Sequence, residues 1–250
     1  MTTRADVSRL TAANQNLVAM AKADLQQLIA GLEGASRETV AAALHEMVPA
    51  LVREYGEIAA AVAVEWYSEL RESHDLPAFQ PSMAEGVGKA VVNSSVGYAL
   101  SSSEGELQVA LGLLGGALQR HIWYSSRATV RRNVALDPSR PRYARVPSGA
   151  KTCTFCEMLA SRGFVYHSKK TAGDSRGTGL GDEYHNGCDC AVVVEFDREQ
   201  HHIEGYDPDA MYARYRAARA AVGSRFPSTS DILSKMRELY PDVYTDGHVK

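Results

Sequence analysis

This chain contains C-T-F-C at residues 153–156 and, 28 residues further on, H-N-G-C-D-C at residues 185–190. All four cysteines of the 250 residues lie in these two motifs. A cluster of four cysteines in a chain of this size favours a metal site over a disulfide framework. Zinc takes four soft or borderline ligands in a tetrahedron, and a Cys-x2-Cys pair places two thiolates on one side of a tight turn.

Five side chains compete for the four positions around such an ion: Cys153, Cys156, His185, Cys188 and Cys190. We prefer Cys153, Cys156 and Cys190, with either His185 or Cys188 as the fourth ligand. An extended backbone would direct both later sulfurs to the same face, whereas a turn after His185 would bring the imidazole inward. Disulfides formed outside the cell, free redox thiols and iron in place of zinc remain alternatives.

The expected role of Zn²⁺ is structural. Residues 148–196 are rich in glycine and lysine and have few apolar side chains with which to order themselves. A bound zinc ion contributes on the order of 10 kcal/mol to the folding of such a segment. A catalytic zinc would keep an open position beside a carboxylate, and the His-x-Glu that precedes the cysteine pair in zinc deaminases is missing here.

The first half of the chain has the apolar period of helices. Apolar residues recur three and four positions apart through residues 10–32, 40–70 and 107–130. Pro49 lies off the second stripe and predicts a kink or a restart. A third helix is expected over residues 82–100, and Gly112, Gly115 and Gly116 are expected to let a neighbouring helix approach closely.

The second half is predicted to contain a β-hairpin followed by helices. Residues 191–196 are rich in β-branched side chains and indicate a strand, with residues 163–166 as its hairpin partner. Asp207 followed by Pro208 predicts a helix start, and a last helix is expected from Ser230 to about Tyr240.

The expected fold class is therefore mainly α. It comprises a helical N-terminal region, a small zinc-stapled α/β module with a β-hairpin, and C-terminal helices. The predicted boundaries are a helical domain over residues 1–136, a basic proline-rich linker over 137–150, a Cys/His zinc-knuckle module over 151–198, and a helical segment over 199–250.

The stretch from residue 120 to residue 151 is strongly basic. It holds seven arginines and one lysine against a single acid, Asp137. One interpretation is an arm that contacts nucleic-acid phosphates without reading sequence. The alternative is a solvated helix end and linker that pair with acidic residues. The candidate phosphate contacts are Arg127, Arg131, Arg132, Arg140, Arg142 and Arg145.

Composition excludes several classes of protein. With 45% hydrophobic and 23% charged residues, the chain is neither disordered nor collagen-like. A net charge of −3 argues against a protein that coats nucleic acid through overall basicity. The longest apolar runs, residues 58–64 and 109–118, are shorter than the roughly 18 residues of a membrane span, so no membrane partner is expected. The polar N-terminus indicates no secretory signal and favours synthesis in a reducing cytosol.

Signals for an enzyme are few, and we expect neither a catalytic residue nor a small-molecule substrate. Two other functions stay open. One is a zinc-dependent nuclease or hydrolase acting on DNA, with His185 and either Asp182 or Glu183 performing the chemistry. The other is a DNA-binding regulator that uses residues 120–151.

The cysteine motifs also carry a resemblance to a known family. The stretches R-V-P-S-G-A-K-T-C-T-F-C at 145–156, L-A-S-R-G at 159–163 and Y-H-N-G-C-D-C at 184–190 resemble the Mu F-like minor head proteins of tailed bacteriophages, particularly those of phages of actinobacteria. E-W-Y-S-E-L-R at 65–71 and G-Y-D-P at 205–208 fit as well.

This resemblance implies a head morphogenesis protein made in the cytoplasm of the host bacterium. Such a protein is a low-copy component of the virion, inside the capsid, whose partners are portal and capsid proteins. The charge of the basic stretch, rather than the resemblance, suggests non-specific contact with packaged DNA. The resemblance implies no catalytic residue in this region. Some relatives carry a toxin or protease domain after the shared module, for which the residues beyond Phe196 are too few.

Overall fold

The computed structural model describes residues 1–166, 185–188 and 190–247. Within these residues the chain is mainly helical and contains one two-stranded antiparallel sheet. The elements are α1 (Arg4–Ala30), α2 (Arg37–Glu72), α3 (Lys89–Ser102), α4 (Leu107–Leu136), β1 (Arg142–Pro147), α5 (Thr154–Ala160), β2 (Cys190–Glu195), α6 (Pro208–Ala221) and α7 (Thr229–Leu239). The expected fold class is confirmed, whereas the division into four regions stays a prediction.

The N-terminal half is a bundle in which α2 and α4 form the central pair, and α1 and α3 each contact both. Gly56 explains how closely the central helices approach. A Cβ built on Gly56 would lie 2.8 Å from the Ser125 hydroxyl of α4, a distance that real Cβ atoms do not show. The close packing predicted for glycine is therefore found at a position of α2 that sequence analysis did not single out.

Local capping signals set most helix ends. Thr3 and Asp6 form a reciprocal capping box at the start of α1, and Ser36 caps α2. Asp207 caps α6 with Pro208 at the first helical position, as predicted. Of the kink or restart predicted at Pro49, the restart is wrong, because α2 continues through it, and the kink stays a prediction. Its missing N–H costs one hydrogen bond, which the long buried face of α2 offsets.

The third helix is shorter than predicted. It begins at Lys89, and the residues before it are not helical. Side chains of α4 satisfy the backbone of this stretch. Asn133 accepts from the Ser82 N–H at 2.9 Å and donates to its carbonyl at 3.0 Å, and Thr129 accepts from the Ala84 N–H at 3.1 Å. These bonds compete with helix formation, and the neighbouring Pro81 and Gly86 favour the extended form.

The hairpin partner of β2 differs from the prediction. β2 pairs with β1, with Arg142 opposite Glu195 and Pro147 opposite Cys190. Residues 163–166 lie on the other side of β1 instead, where Tyr166 forms a single bridge with Tyr143. The expected linker over 137–150 thus contains a buried strand. The arginines and prolines of this stretch suggested a solvated linker. Tyr143, Ala144 and Val146 are nevertheless almost fully buried and belong to the core.

One apolar core connects the sheet to the helices. Every residue of β2 is buried, and the strand packs among side chains from α1, α2, α4 and α5, including Leu10, Trp66 and Val130. A second core fills the bundle, and a small third one joins α6 to α7. No helix among the described residues has both the length and the apolar composition needed to cross a bilayer.

Asp137 ends α4 in a buried hydrogen-bond network. It accepts from the Arg71 guanidinium at 2.7 and 3.2 Å, from the Tyr67 hydroxyl at 3.0 Å and from Ser139 at 2.7 and 2.9 Å. Burial by itself raises the pKa of Asp137, but the hydrogen bonds from Arg71, Ser139 and Tyr67 together bring that pKa below its ordinary value. The carboxylate therefore joins α4 to α2 most strongly when it is ionised.

We predict that Asp137→Asn lowers the free energy of unfolding by about 2 kcal/mol at pH 7, because a charged hydrogen-bond acceptor beside Arg71 is lost. The pKa of Asp137 is lower in the folded than in the unfolded state. Its contribution is therefore present above about pH 4 and is lost as the pH falls through the folded pKa. Urea titrations should show the difference between Asp137→Asn and wild type shrinking in that window.

Asp75→Asn is the matched control, since Asp75 is exposed. It should leave stability unchanged across the same pH range. A difference between Asp137→Asn and wild type that stays constant down to pH 2 would contradict the assigned role of the carboxylate.

Candidate metal centre

Cys153 and Cys156 are placed by the start of α5. Cys153 is the N-cap residue, and its Sγ accepts a hydrogen bond from the Cys156 N–H at 3.3 Å. Asp246 secures the same turn by accepting from the Thr154 N–H at 3.0 Å and from its hydroxyl at 2.8 Å. The Cys-x2-Cys spacing thus puts both sulfurs at one end of a short helix, as expected for a metal-binding knuckle.

The other candidate ligands come from a tight turn that lies on α4. The Cys188 N–H bonds the His185 carbonyl at 3.1 Å, and Gly187 supplies the positive φ of 78° that this turn needs. Asn186 packs against Gly116, where an added Cβ would lie 3.1 Å from the Asn186 Cβ. The turn predicted after His185 is therefore present, and Gly116 makes room for this turn rather than for a helix.

The structure brings all five predicted ligands together in two overlapping groups of three. Cys153, Cys156 and His185 form one group, and Cys156, Cys188 and Cys190 form the other. Within each group the donor atoms lie within 4.8 Å of one another. The cluster could therefore hold a metal ion, with Cys156 common to both groups.

Individual distances suit ligands around one centre. His185 Nε2 lies 3.0 Å from Cys153 Sγ and 3.7 Å from Cys156 Sγ, and Cys156 Sγ lies 3.4 Å from Cys188 Sγ. Two thiolates bound tetrahedrally to one zinc would be about 3.8 Å apart, given Zn–S bonds of about 2.3 Å. None of the four cysteines, all of which are among the described residues, forms a disulfide, so their sulfurs can act as donors.

The electrostatics of the cluster favour thiolates at Cys153 and Cys188, whereas hydrogen bonds from Cys156 to the other sulfurs, together with burial, raise the pKa of the Cys156 thiol. Hydrogen bonding to Cys156 and to His185 lowers the pKa of Cys153 to about 5. The same contact with Cys153 raises the pKa of His185 to about 9. Contacts with Cys156 and Cys190, together with the charge of Arg127, also lower the pKa of Cys188. The thiolate is the form that binds metals.

Arg127 joins this cluster to the helical bundle, a role that sequence analysis missed. Its side chain is only 2% exposed. It donates to the carbonyls of Cys190 and Cys188 at 2.8 and 3.1 Å and contacts the Cys188 sulfur at 3.6 Å. Its guanidinium also lies over the Trp123 ring, 4.8 Å from the centroid. The sequence did offer a signal for this role. Arg127 interrupts a buried stripe of helical spacing that is formed by Trp123, Val130 and Val134, and a charged residue in such a stripe indicates a buried partner.

The six arginines predicted to contact DNA do not form one surface. Arg127, Arg131 and Arg145 are buried, at most 5% exposed. They therefore cannot reach phosphates in the folded chain, which corrects the prediction for these three. These three arginines interact with groups inside the protein instead. Arg132 and Arg140 are exposed and Arg142 is half-buried, so for them contact with DNA stays a prediction.

A catalytic zinc would need a carboxylate nearby, and Glu157, Asp182 and Glu183 are close to candidate ligands in sequence. Glu157 follows the second cysteine but is buried and fully engaged, since Arg214 donates to it at 2.8 and 3.0 Å and the Tyr244 hydroxyl at 2.7 Å. This ion pair ties α5 to α6 and the C-terminal residues. Asp182 and Glu183 lie outside the described residues.

We predict that Arg127→Met lowers the free energy of unfolding by about 3 kcal/mol, because the buried carbonyls of Cys188 and Cys190 lose their charged donor. Chemical denaturation at pH 7 measures the change. Arg132→Met, on the same helix but exposed, is the control and should shift stability by less than about 0.5 kcal/mol. Equal effects of the two substitutions would show that Arg127 does not hold the cysteine turn.

We also predict that Cys156→Ser weakens metal binding most among the five single substitutions, by at least about 100-fold, because Cys156 belongs to both donor groups. Competition with a chromophoric chelator measures Zn²⁺ affinity. With five donors for four positions, either His185→Ala or Cys190→Ser should retain affinity close to wild type. Wild-type affinity in Cys156→Ser would exclude a centre built on these groups.

Comparison with known proteins gives one family. A family model described as VG15 protein matches residues 1–218, which include the bundle, the sheet and all five candidate ligands. No curated protein and no solved structure matches the chain significantly. Because the match covers most of its length, the chain belongs to the VG15 protein family, which indicates a phage protein.

Proposed function

We propose that this chain is a minor capsid protein that acts in head morphogenesis, is associated with the portal inside the phage head, and has no enzymatic activity. The observation that carries the proposal is the VG15 family match over residues 1–218. The resemblance of the cysteine motifs to Mu F-like minor head proteins supports the finer assignment to the head. The proposed site of action is the capsid interior, after synthesis in the host cytoplasm.

The proposed metal is a structural Zn²⁺. The donor set supports it, because four thiols and one imidazole suit zinc better than magnesium or calcium, which take oxygen ligands. Sequence analysis preferred Cys190 over Cys188, but Cys188 Sγ lies only 3.4 Å from Cys156 Sγ. We therefore propose that Cys153, Cys156 and Cys188 would hold the ion, with His185 or Cys190 completing the tetrahedron. Such an ion would join α5 to the turn on α4 across the 28 residues that separate the two motifs.

The proposal of a non-enzymatic role has two supports among the described residues. Glu157, the carboxylate adjacent to the second cysteine, is neutralised by Arg214 and hydrogen-bonded by Tyr244, so it is not free to act as a general base. The thiols of Cys156, Cys188 and Cys190 are buried, where they suit a closed structural site better than nucleophilic attack on a polymer. Both features favour assembly over catalysis.

Contact with portal and capsid proteins is proposed from the family resemblance. Three large apolar side chains of α1 and α2 are available for such contacts: Met20, Met47 and Ile58 are 43–56% exposed. Only the exposed arginines would contact packaged DNA.

We predict that the chain is present in proheads and virions at a few copies per particle. Quantitative mass spectrometry of purified particles, with the major capsid protein as reference, measures the copy number, and cross-linking identifies the neighbour as the portal.

We also predict that a deletion phage complemented with the wild-type gene regains normal heads. Complementation with Cys156→Ser should give fewer normal heads, because the metal centre is lost.

Complementation with Asp75→Asn, an exposed substitution far from the cysteines in sequence, controls for expression. Absence of the chain from both proheads and virions would contradict a role in the head. A DNA hydrolysis activity that is abolished by His185→Ala in a protein of unchanged stability would replace the proposal with the enzymatic alternative.

A further inference from the structure

The end of α6 and the turn after it form a basic segment without any acid. Residues 210–230 contain four arginines and no aspartate or glutamate, in a chain whose net charge is −3. Arg214 is turned inward to its ion pair with Glu157. The other three, Arg216, Arg219 and Arg225, are exposed and make no ion pair with the described residues. This segment therefore presents three uncompensated positive charges to solvent.

Helical spacing gathers these charges beside aromatic rings. Tyr212, Tyr215, Arg216 and Arg219 follow one another at i, i+3, i+4 and i+7, so they share one face of α6. Together with Arg225 and the turn at residues 223–224 they line an open concavity of about 620 Å³. We call this surface the α6 groove. It lies outside the metal centre and uses none of its ligands.

Tyr212 in the groove and Phe226, which follows Arg225 at its edge, have unusually exposed aromatic rings. Tyr212 is 47% exposed and stacks on Tyr215 with ring centroids 6.0 Å apart and planes 19° from parallel. Phe226 is 82% exposed, and the Arg225 guanidinium lies 5.3 Å from its ring centroid. Exposing a phenylalanine to this degree forgoes the free energy of burying it, which a ligand that covers the ring would recover.

We propose that the α6 groove binds single-stranded nucleic acid. Arg216, Arg219 and Arg225 contact the phosphates, and Tyr212 and Phe226 stack with unpaired bases. Arginines that track a backbone beside aromatic stacking surfaces are the combination found in proteins that bind single strands without sequence preference. The proposal does not depend on the role of the chain in the phage head.

The surface favours nucleic acid over an acidic protein. An acidic peptide would satisfy the arginines but would leave the nearly parallel tyrosine rings and Phe226 without flat partners, whereas every base has a π-face. The groove also differs from the basic stretch at residues 120–151, where Arg127, Arg131 and Arg145 are buried. Charge and aromatic rings occur together at α6.

The test is fluorescence anisotropy of the full-length protein with a labelled 20-residue oligothymidylate, a 20-bp duplex and poly-glutamate, at several salt concentrations. A triple variant that combines Arg216→Gln, Arg219→Gln and Arg225→Gln should bind the single strand at least tenfold more weakly than wild type. The same triple variant should make the slope of log K against log salt shallower by about 2. Tyr212→Ala with Phe226→Ala should weaken single-strand binding about tenfold and leave that slope unchanged.

Arg53→Gln with Lys89→Gln is the matched control, since both are exposed cations that lie outside the two basic stretches, and it should bind like wild type. Unchanged urea midpoints confirm that the variants fold. The proposal is overturned if wild type does not bind the oligonucleotide, or if the control pair weakens binding while the triple variant does not. Tighter binding to poly-glutamate would replace nucleic acid with an acidic protein. Duplex binding as tight as single-strand binding, unaffected by the aromatic substitutions, would exclude stacking.

Discussion

A buried guanidinium connects the two parts of this protein. Arg127 extends from α4 and donates to the backbone carbonyls on either side of residue 189, while its flat face lies over Trp123. Burying a cation is costly unless its donors are satisfied and a counter-charge is near. The cysteine sulfur at 3.6 Å supplies that counter-charge when it is ionised. The position of the second cysteine motif therefore depends on the bundle.

Because of this connection, the cysteine module at residues 151–198 does not depend on a metal ion alone for its order. β2 is buried along its whole length and shares one core with α1, α2 and α4. The N-terminus closes over it, since Thr2 donates its N–H to Glu195 at 2.8 Å and its hydroxyl to the Val194 carbonyl at 2.7 Å. Apolar burial places the strand, and an ion bound by the sulfurs would lock α5 against it. Metal and core thus act on different parts of the same module.

The helices and the cysteine cluster were predictable because their signals are local. The apolar period of residues 10–32, the Ser36 cap and the Asp207–Pro208 start each depend on neighbours within one or two turns. The hairpin was not predictable in the same way. The basic composition around β1 suggests solvent exposure, and only the packed core shows that Arg145 is 1% exposed.

The sequence by itself determined the five helices α1, α2, α4, α6 and α7 and the five side chains that could bind a metal, because period, capping and ligand spacing are properties of short stretches. It did not determine α5 or the start of α3. Only the tertiary structure decided that β2 pairs with β1, that α4 supplies the charge beside the cysteines, and that Arg127 is buried while Arg216 and Arg219 of α6 stay exposed. Strand pairing and burial of charge depend on contacts between residues far apart in sequence, which no local pattern records.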